Sequence, residues 1–157
     1  MTTQEGLSRR DMLKAGATLT LGSVGLAIAR PSQAMPATMK EAIAEVTGLA
    51  EIKRGRVKLD IPPLVENGNT VPCTVSVESP MTAEDHVKAI HVFSEKNPQP
   101  NVISVHLGPR AGRAVVSTRI RLADTQTVMA IAEMSDGSFW SDRLDVLITL
   151  GACLEDS

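Results

Sequence analysis

The 157-residue sequence predicts an all-β fold: an immunoglobulin-like antiparallel β-sandwich with a short N-terminal helix and a flexible C-terminal tail. Three observations predict it. From Arg56 onward the apolar residues recur with a period of two, which places alternate side chains on one face of a strand. About seven such runs follow one another, each short and bounded by turn-forming Gly, Pro, Asn or Asp residues. The last run, Asp145-Val-Leu-Ile-Thr-Leu150, stops at Gly151 and is followed only by Gly151-Ala-Cys-Leu-Glu-Asp-Ser157.

Residues 1–34 are set apart from this pattern. Ser8-Arg9-Arg10-Asp11-Met12-Leu13-Lys14 places an arginine pair ahead of the mildly apolar stretch Ala15 to Ala29, and Ser32-Gln33-Ala34 has the small-x-small spacing of a signal peptidase site. The arrangement predicts a twin-arginine signal cleaved after Ala34 and a periplasmic mature chain. The apolar stretch is too short and too rich in Gly and Thr for a membrane span of about 20 residues. Twin-arginine export carries folded proteins, which implies a cofactor inserted beforehand or a partner that travels along. Without the leader the chain keeps 12 of 16 Lys+Arg and 16 of 18 Asp+Glu, a net charge of −4. That balance argues against a nucleic-acid binder, which carries a basic excess, and no basic amphipathic stretch points to a membrane surface. Residues 35–150 form one domain by length, and 151–157 form the tail.

Within the domain, Thr38-Met-Lys-Glu41 has capping-box spacing. Met39, Ile43, Val46 and Ala50 share a helical face, and Gly48 is a stop signal. The strands predicted are Val57–Ile61, Val71–Val77, Val87–Phe93, Val102–Leu107, Ala114–Ile120, Thr127–Ala132 and Leu144–Leu150. Glu66-Asn-Gly-Asn69 is a turn signal before the second of them. Val71, Cys73, Val75 and Val77 share the apolar face of that strand, so Cys73 reads as a small buried hydrophobe. In an oxidising compartment a Cys73–Cys153 disulfide has to be considered. A core-facing thiol does not meet a mobile tail, and two free thiols of different kinds are expected.

Enzyme constellations are scarce. The sequence has no Gly-rich phosphate loop, paired zinc-type cysteines or Gly-x-Ser-x-Gly elbow. His86, His91 and His106 read as solvated residues, although His91 and His106 fall on strands that can be neighbours. A copper site on a sandwich uses a cysteine closely followed by His and Met, whereas only Leu154-Glu155-Asp156-Ser157 follow Cys153. Neither metal nor cofactor is therefore expected. Arg110 and Arg113 in Leu107-Gly-Pro-Arg-Ala-Gly-Arg113 suit an anion or a partner carboxylate, or simply a solvated loop. Phe139 and Trp140 suit an interface anchor or packing at a strand start.

Several strings then resemble the SoxY family: Ser79-Pro-Met81, His91-Val-Phe-Ser-Glu-Lys-Asn-Pro98, Ser117-Thr-Arg-Ile-Arg-Leu122, Ala132-Glu-Met-Ser-Asp-Gly137 and Ile148-Thr-Leu-Gly-Ala-Cys153. That family comprises the sulfur carriers of the periplasmic thiosulfate-oxidising system. The resemblance implies a sandwich that forms a heterodimer with a SoxZ-like subunit and has no catalytic activity of its own. It implies that Cys153 is the covalent attachment site for small sulfur anions, with Gly151 and Ala152 in the carrier arm. A haem-containing enzyme would conjugate the substrate, and a sulfate-releasing hydrolase would act on the adduct. The family arm ends Gly-Gly-Cys-Gly-Gly. Here only Gly151 is kept: Ala152 replaces the second glycine, Leu154-Glu155 the last two, and Asp156-Ser157 are added. The charges of Glu155, Asp156 and the terminal carboxylate disfavour an anionic adduct beside them. A divergent interaction subunit, with the fold and partner surface but no shuttling of substrate, is the alternative reading.

Overall fold

A computed structural model of the chain describes residues 38–152. The leader expected over 1–34 and the end of the tail from Cys153 onward lie outside them. Helix α1, Met39–Thr47, begins as its sequence dictates. The Thr38 hydroxyl accepts from the Glu41 amide at 3.3 Å, and the Glu41 carboxylate accepts from the Thr38 amide at 2.9 Å. These bonds hold the Glu41 carboxyl below its ordinary range. Gly48, at φ 62°, ends the helix in a conformation that glycine adopts without strain.

Nine strands follow: β1 Ile52–Arg54, β2 Val57–Asp60, β3 Leu64–Asn67, β4 Val71–Val77, β5 Val87–Ser94, β6 Asn101–His106, β7 Val115–Ile120, β8 Gln126–Met134 and β9 Phe139–Leu150. They form two sheets. The larger has the order β1-β9-β8-β5-β6, with β3 also on β9, and the smaller is β2-β4-β7. The pairings are antiparallel apart from β1 and β3, which run parallel to opposite ends of β9. Between those two contacts the chain leaves the large sheet to form β2, and Asp142 bridges the gap by accepting from the Leu59 amide at 2.9 Å.

The sandwich core comes from the apolar face of each strand. Val71, Cys73, Val75 and Val77 line it from β4, and Val57 and Leu59 from β2. Ile90 and Val92 on β5, Val128 and Ala130 on β8, and Val146 and Ile148 on β9 close it from the other side. The outer face of the large sheet is covered in part by α1. Met39, Ala42, Ile43 and Val46 pack there on Phe93, Ile131 and Phe139. This second cluster explains why β5, with a single exposed position, buries both faces.

Three sequence expectations shift. The turn signalled by Glu66–Asn69 falls at Gly68 and Asn69, after an unpredicted strand Leu64–Asn67, and β9 begins at Phe139, five residues before the alternating pattern becomes apolar. His91 is not a solvated histidine. It is 6 % exposed on the outer face of β5 and shares a 2.8 Å hydrogen bond with the Ser104 hydroxyl. Ser104 in turn donates to the Asn101 side chain at 3.1 Å. Burial and the neighbouring His106 ring, 6.1 Å away, push the His91 pKa down, while Glu133 pulls the other way. Phe139 is buried under α1. Trp140 donates to the Ser138 hydroxyl, and the cationic groups of Lys53 and Arg56 each lie over its ring at 5.7 Å from the centre.

Candidate functional site at the root of the C-terminal arm

Strand β9 delivers the tail to one end of the sandwich, so the site is defined by what surrounds Leu150, Gly151 and Ala152. The parallel β3–β9 ladder pairs Leu64 with Leu147, Val65 with Ile148 and Asn67 with Leu150. The Gly68 amide continues it, donating to the Leu150 carbonyl at 2.7 Å. The Gly68 carbonyl accepts from the Leu122 amide at 2.8 Å, and the Leu122 carbonyl accepts from the Ala152 amide at 3.0 Å. Three segments are thereby joined in a ring of backbone bonds. The expected flexible tail is still hydrogen-bonded to the domain at Ala152, one residue before Cys153.

The ring is closed by close backbone approach. A Cβ at Gly151 would overlap the Ala123 carbonyl oxygen and lie 3.1 Å from the Ala123 carbonyl carbon. A Cβ at Gly68 would overlap the Leu122 carbonyl oxygen and come to 2.9 Å from the Ala152 nitrogen. Neither glycine requires a left-handed backbone here. Both are needed because no side chain fits. For Gly151 this gives a different physical reason from the freedom of a flexible arm.

The segment opposite is held by side chains. The Asn97 amide group donates to the Arg121 carbonyl at 2.8 Å, while its oxygen accepts from the Ala123 amide at 3.0 Å and from Gln126 at 3.2 Å. Gln126, 4 % exposed, accepts from the Lys96 amide at 2.8 Å. An exposed Lys96–Asp124 ion pair at 3.0 Å flanks the segment, and its hydrogen bond lowers the Asp124 pKa. On the β8 side, Thr125 accepts from the Ile148 amide at 3.0 Å. On the β3 side, Thr149 donates to the Glu66 carbonyl at 3.0 Å.

Of the predicted site residues, Gly151 and Ala152 sit in this ring, and Cys153 follows directly in the chain outside the described residues. Gly68, Leu122, Ala123 and Asn97 were not predicted to belong to it. Asn67-Gly68 signals a turn in sequence, but nothing local shows which carbonyl presses against it. Cys73 is remote in kind: it is 1 % exposed in the core, and burial, with a smaller contribution from Asp60, pushes its thiol up to about 11. Arg110 and Arg113 lie on an exposed loop containing a single 3-10 turn, Pro109–Ala111. Among the described residues no group of three or more His, Cys, Asp and Glu could hold a metal ion, and no helix is long and apolar enough to cross a membrane.

A profile of the family described as "Sulfur oxidation protein SoxY" matches residues 43–153. The chain belongs to the SoxY family. A solved structure of the sulfur carrier protein SoxY from Chlorobium limicola f thiosulfatophilum is similar to it. The two share 27 % identity with a TM-score of 0.61, over 72 % of this chain and 97 % of that one. Superoxide reductases share the fold alone. The neelaredoxin of Ignicoccus hospitalis is 18 % identical with a TM-score of 0.52, over 60 % of this chain and 80 % of its own. The Nanoarchaeum equitans enzyme is 12 % identical with a TM-score of 0.51, over 61 % and 100 %. None of the curated proteins gives a significant match. SoxY membership agrees with the sandwich.

Proposed function

We propose that this chain is a periplasmic sulfur carrier whose Cys153 holds thiosulfate-derived intermediates covalently while partner enzymes process them. The observation that carries this reading is the extent of the family match, which runs to Cys153 itself. The similarity to a solved SoxY sulfur carrier supports it, as does the burial of Cys73, which leaves Cys153 as the second of the two cysteines in the sequence.

The chemistry asked of the chain is limited to presenting one sulfur. The Cys153 thiolate and thiosulfate form an S–S bond, giving a thiosulfonate adduct, and two electrons pass to a haem-containing partner. Water then cleaves the terminal S–S bond on a hydrolase, releasing sulfate and two protons and leaving a persulfide anion on Cys153. The chain supplies position and access, and no catalytic residue of its own. A SoxZ-like subunit completes a heterodimer that leaves by the twin-arginine route under a single leader.

The alternative, a divergent interaction subunit, is favoured by one feature: Leu154-Glu155 stand where the family resemblance places the last two glycines, with Asp156-Ser157 added. Intact mass of protein purified without reductant separates the two readings. A sulfur-containing adduct that is lost in Cys153→Ser is expected for the carrier. A chain that stays unmodified when thiosulfate and the complete oxidising system are supplied would refute it.

A further inference from the structure

The carrier reading makes reach the critical property of Cys153, because its sulfur has to enter the clefts of other proteins. The ring at the arm root restricts that reach. The Ala152 amide is held on the Leu122 carbonyl, and Cys153 is the next residue in the sequence. Nothing between them can act as a linker.

We propose that Gly68 and Gly151 form a latch on the carrier arm, with the Leu122–Ala123 backbone as its seat. Closed, the latch holds the arm to the domain up to Ala152. Open, it frees Gly151 and Ala152 and lengthens the arm by two residues, about 7 Å of extended chain. The proposal rests on Cys153 being the sulfur-bearing residue, and it makes Gly68 a positioning residue that acts through the arm without touching substrate.

Three observations fit a device that opens. Its bonds are few: among the described residues, only the Ala152–Leu122 bond holds the chain beyond Leu150, whereas Ile148 is held by Thr125 and by the β3 ladder. Its steric requirement is two-sided, since a Cβ on either glycine strikes the opposing backbone and not a movable side chain. Its seat is fixed independently of the arm, by the three hydrogen bonds of Asn97. Opening therefore does not require the sandwich to loosen. A local transition of this kind lies at the low-stability end of native motions.

The test uses the full mature chain and reads the arm root directly. Amide hydrogen exchange is followed by NMR for Ala152, Gly68 and Leu122 in the parent, Gly68→Ala and Gly151→Ala. In the parent the Ala152 amide is expected to exchange at least about tenfold slower than an unstructured amide. In each variant that protection is lost while the amides of Val92 and Ile131 stay protected. A nitroxide on Cys153 should give a narrower spectrum in both variants than in the parent. An Ala152 amide unprotected in the parent, or nitroxide spectra identical in all three proteins, overturns the latch. Should Gly68→Ala fail to fold, the parent exchange data and Gly151→Ala decide alone, because Gly151 faces the Ala123 backbone and not the core. Neither readout depends on sulfur chemistry. A chain with a working latch and no adduct on Cys153 refutes the carrier reading only, and an adduct on a chain without protection at Ala152 refutes the latch only.

Discussion

The two thiols should differ in reactivity by orders of magnitude, and the difference can be worked from the position of Cys73. Its side chain faces the sandwich core in the middle of β4, is 1 % exposed, and has a pKa raised from 9.0 to about 11. The thiolate is the reacting species. At pH 8 the shift alone lowers the thiolate fraction about a hundredfold, because each unit is a factor of about ten. Reaction through opening of the strand escapes that factor but needs the domain to open. A cost of about 5 kcal/mol, at the lower end of domain stability, slows that route by three to four orders of magnitude. A disulfide reagent such as DTNB at pH 8 should therefore titrate one thiol per native chain quickly. The second should follow only in denaturant. Cys153→Ser should remove the fast phase, and Cys73→Ala should leave it unchanged. Two fast thiols in the native parent, or a fast phase surviving in Cys153→Ser, would refute the reasoning. So would a native chain with no titratable thiol and a mass lighter by two hydrogens, since a Cys73–Cys153 bridge requires Cys73 to leave the core.

Two further outcomes concern stability. Folding lowers the pKa of His91 below its ordinary 6.5. As pH falls below that value the unfolded chain binds a proton that the folded chain does not. The contribution of His91 is then fully present above 6.5 and is lost as pH drops towards its folded pKa, by at most about 1.4 kcal/mol per pH unit. Urea unfolding from pH 8 to 5 should show this loss in the parent and not in His91→Gln; parallel profiles would show that His91 does not titrate differently on folding. Asp142 accepts the Leu59 amide where β9 has no strand partner on that side. Asp142→Ala should therefore cost about 1.5–3 kcal/mol of unfolding free energy, the range for a hydrogen bond to a charged group, and an unchanged urea midpoint would contradict the bridge.

The sequence by itself determined the sandwich, the capped helix and the inward thiol of Cys73. Each is written locally: in a period of two, in Thr38 and Glu41 three residues apart, or in a string that resembles a family. Short β1 and β3 were not legible, because they are held by their parallel partner β9 and have little pattern of their own. His91 could not be told from a solvated strand histidine, because its burial depends on what covers the outer face of β5. The arm root was the least legible feature. A glycine two residues before a cysteine looks like freedom in sequence, and Asn67-Gly68 looks like a turn. Only the tertiary structure brings Gly68, Leu122–Ala123 and Gly151 together, from parts of the chain far apart in sequence. The physical reason is that close backbone approach is recorded in a sequence only as a missing side chain, and a missing side chain does not name the carbonyl that excludes it.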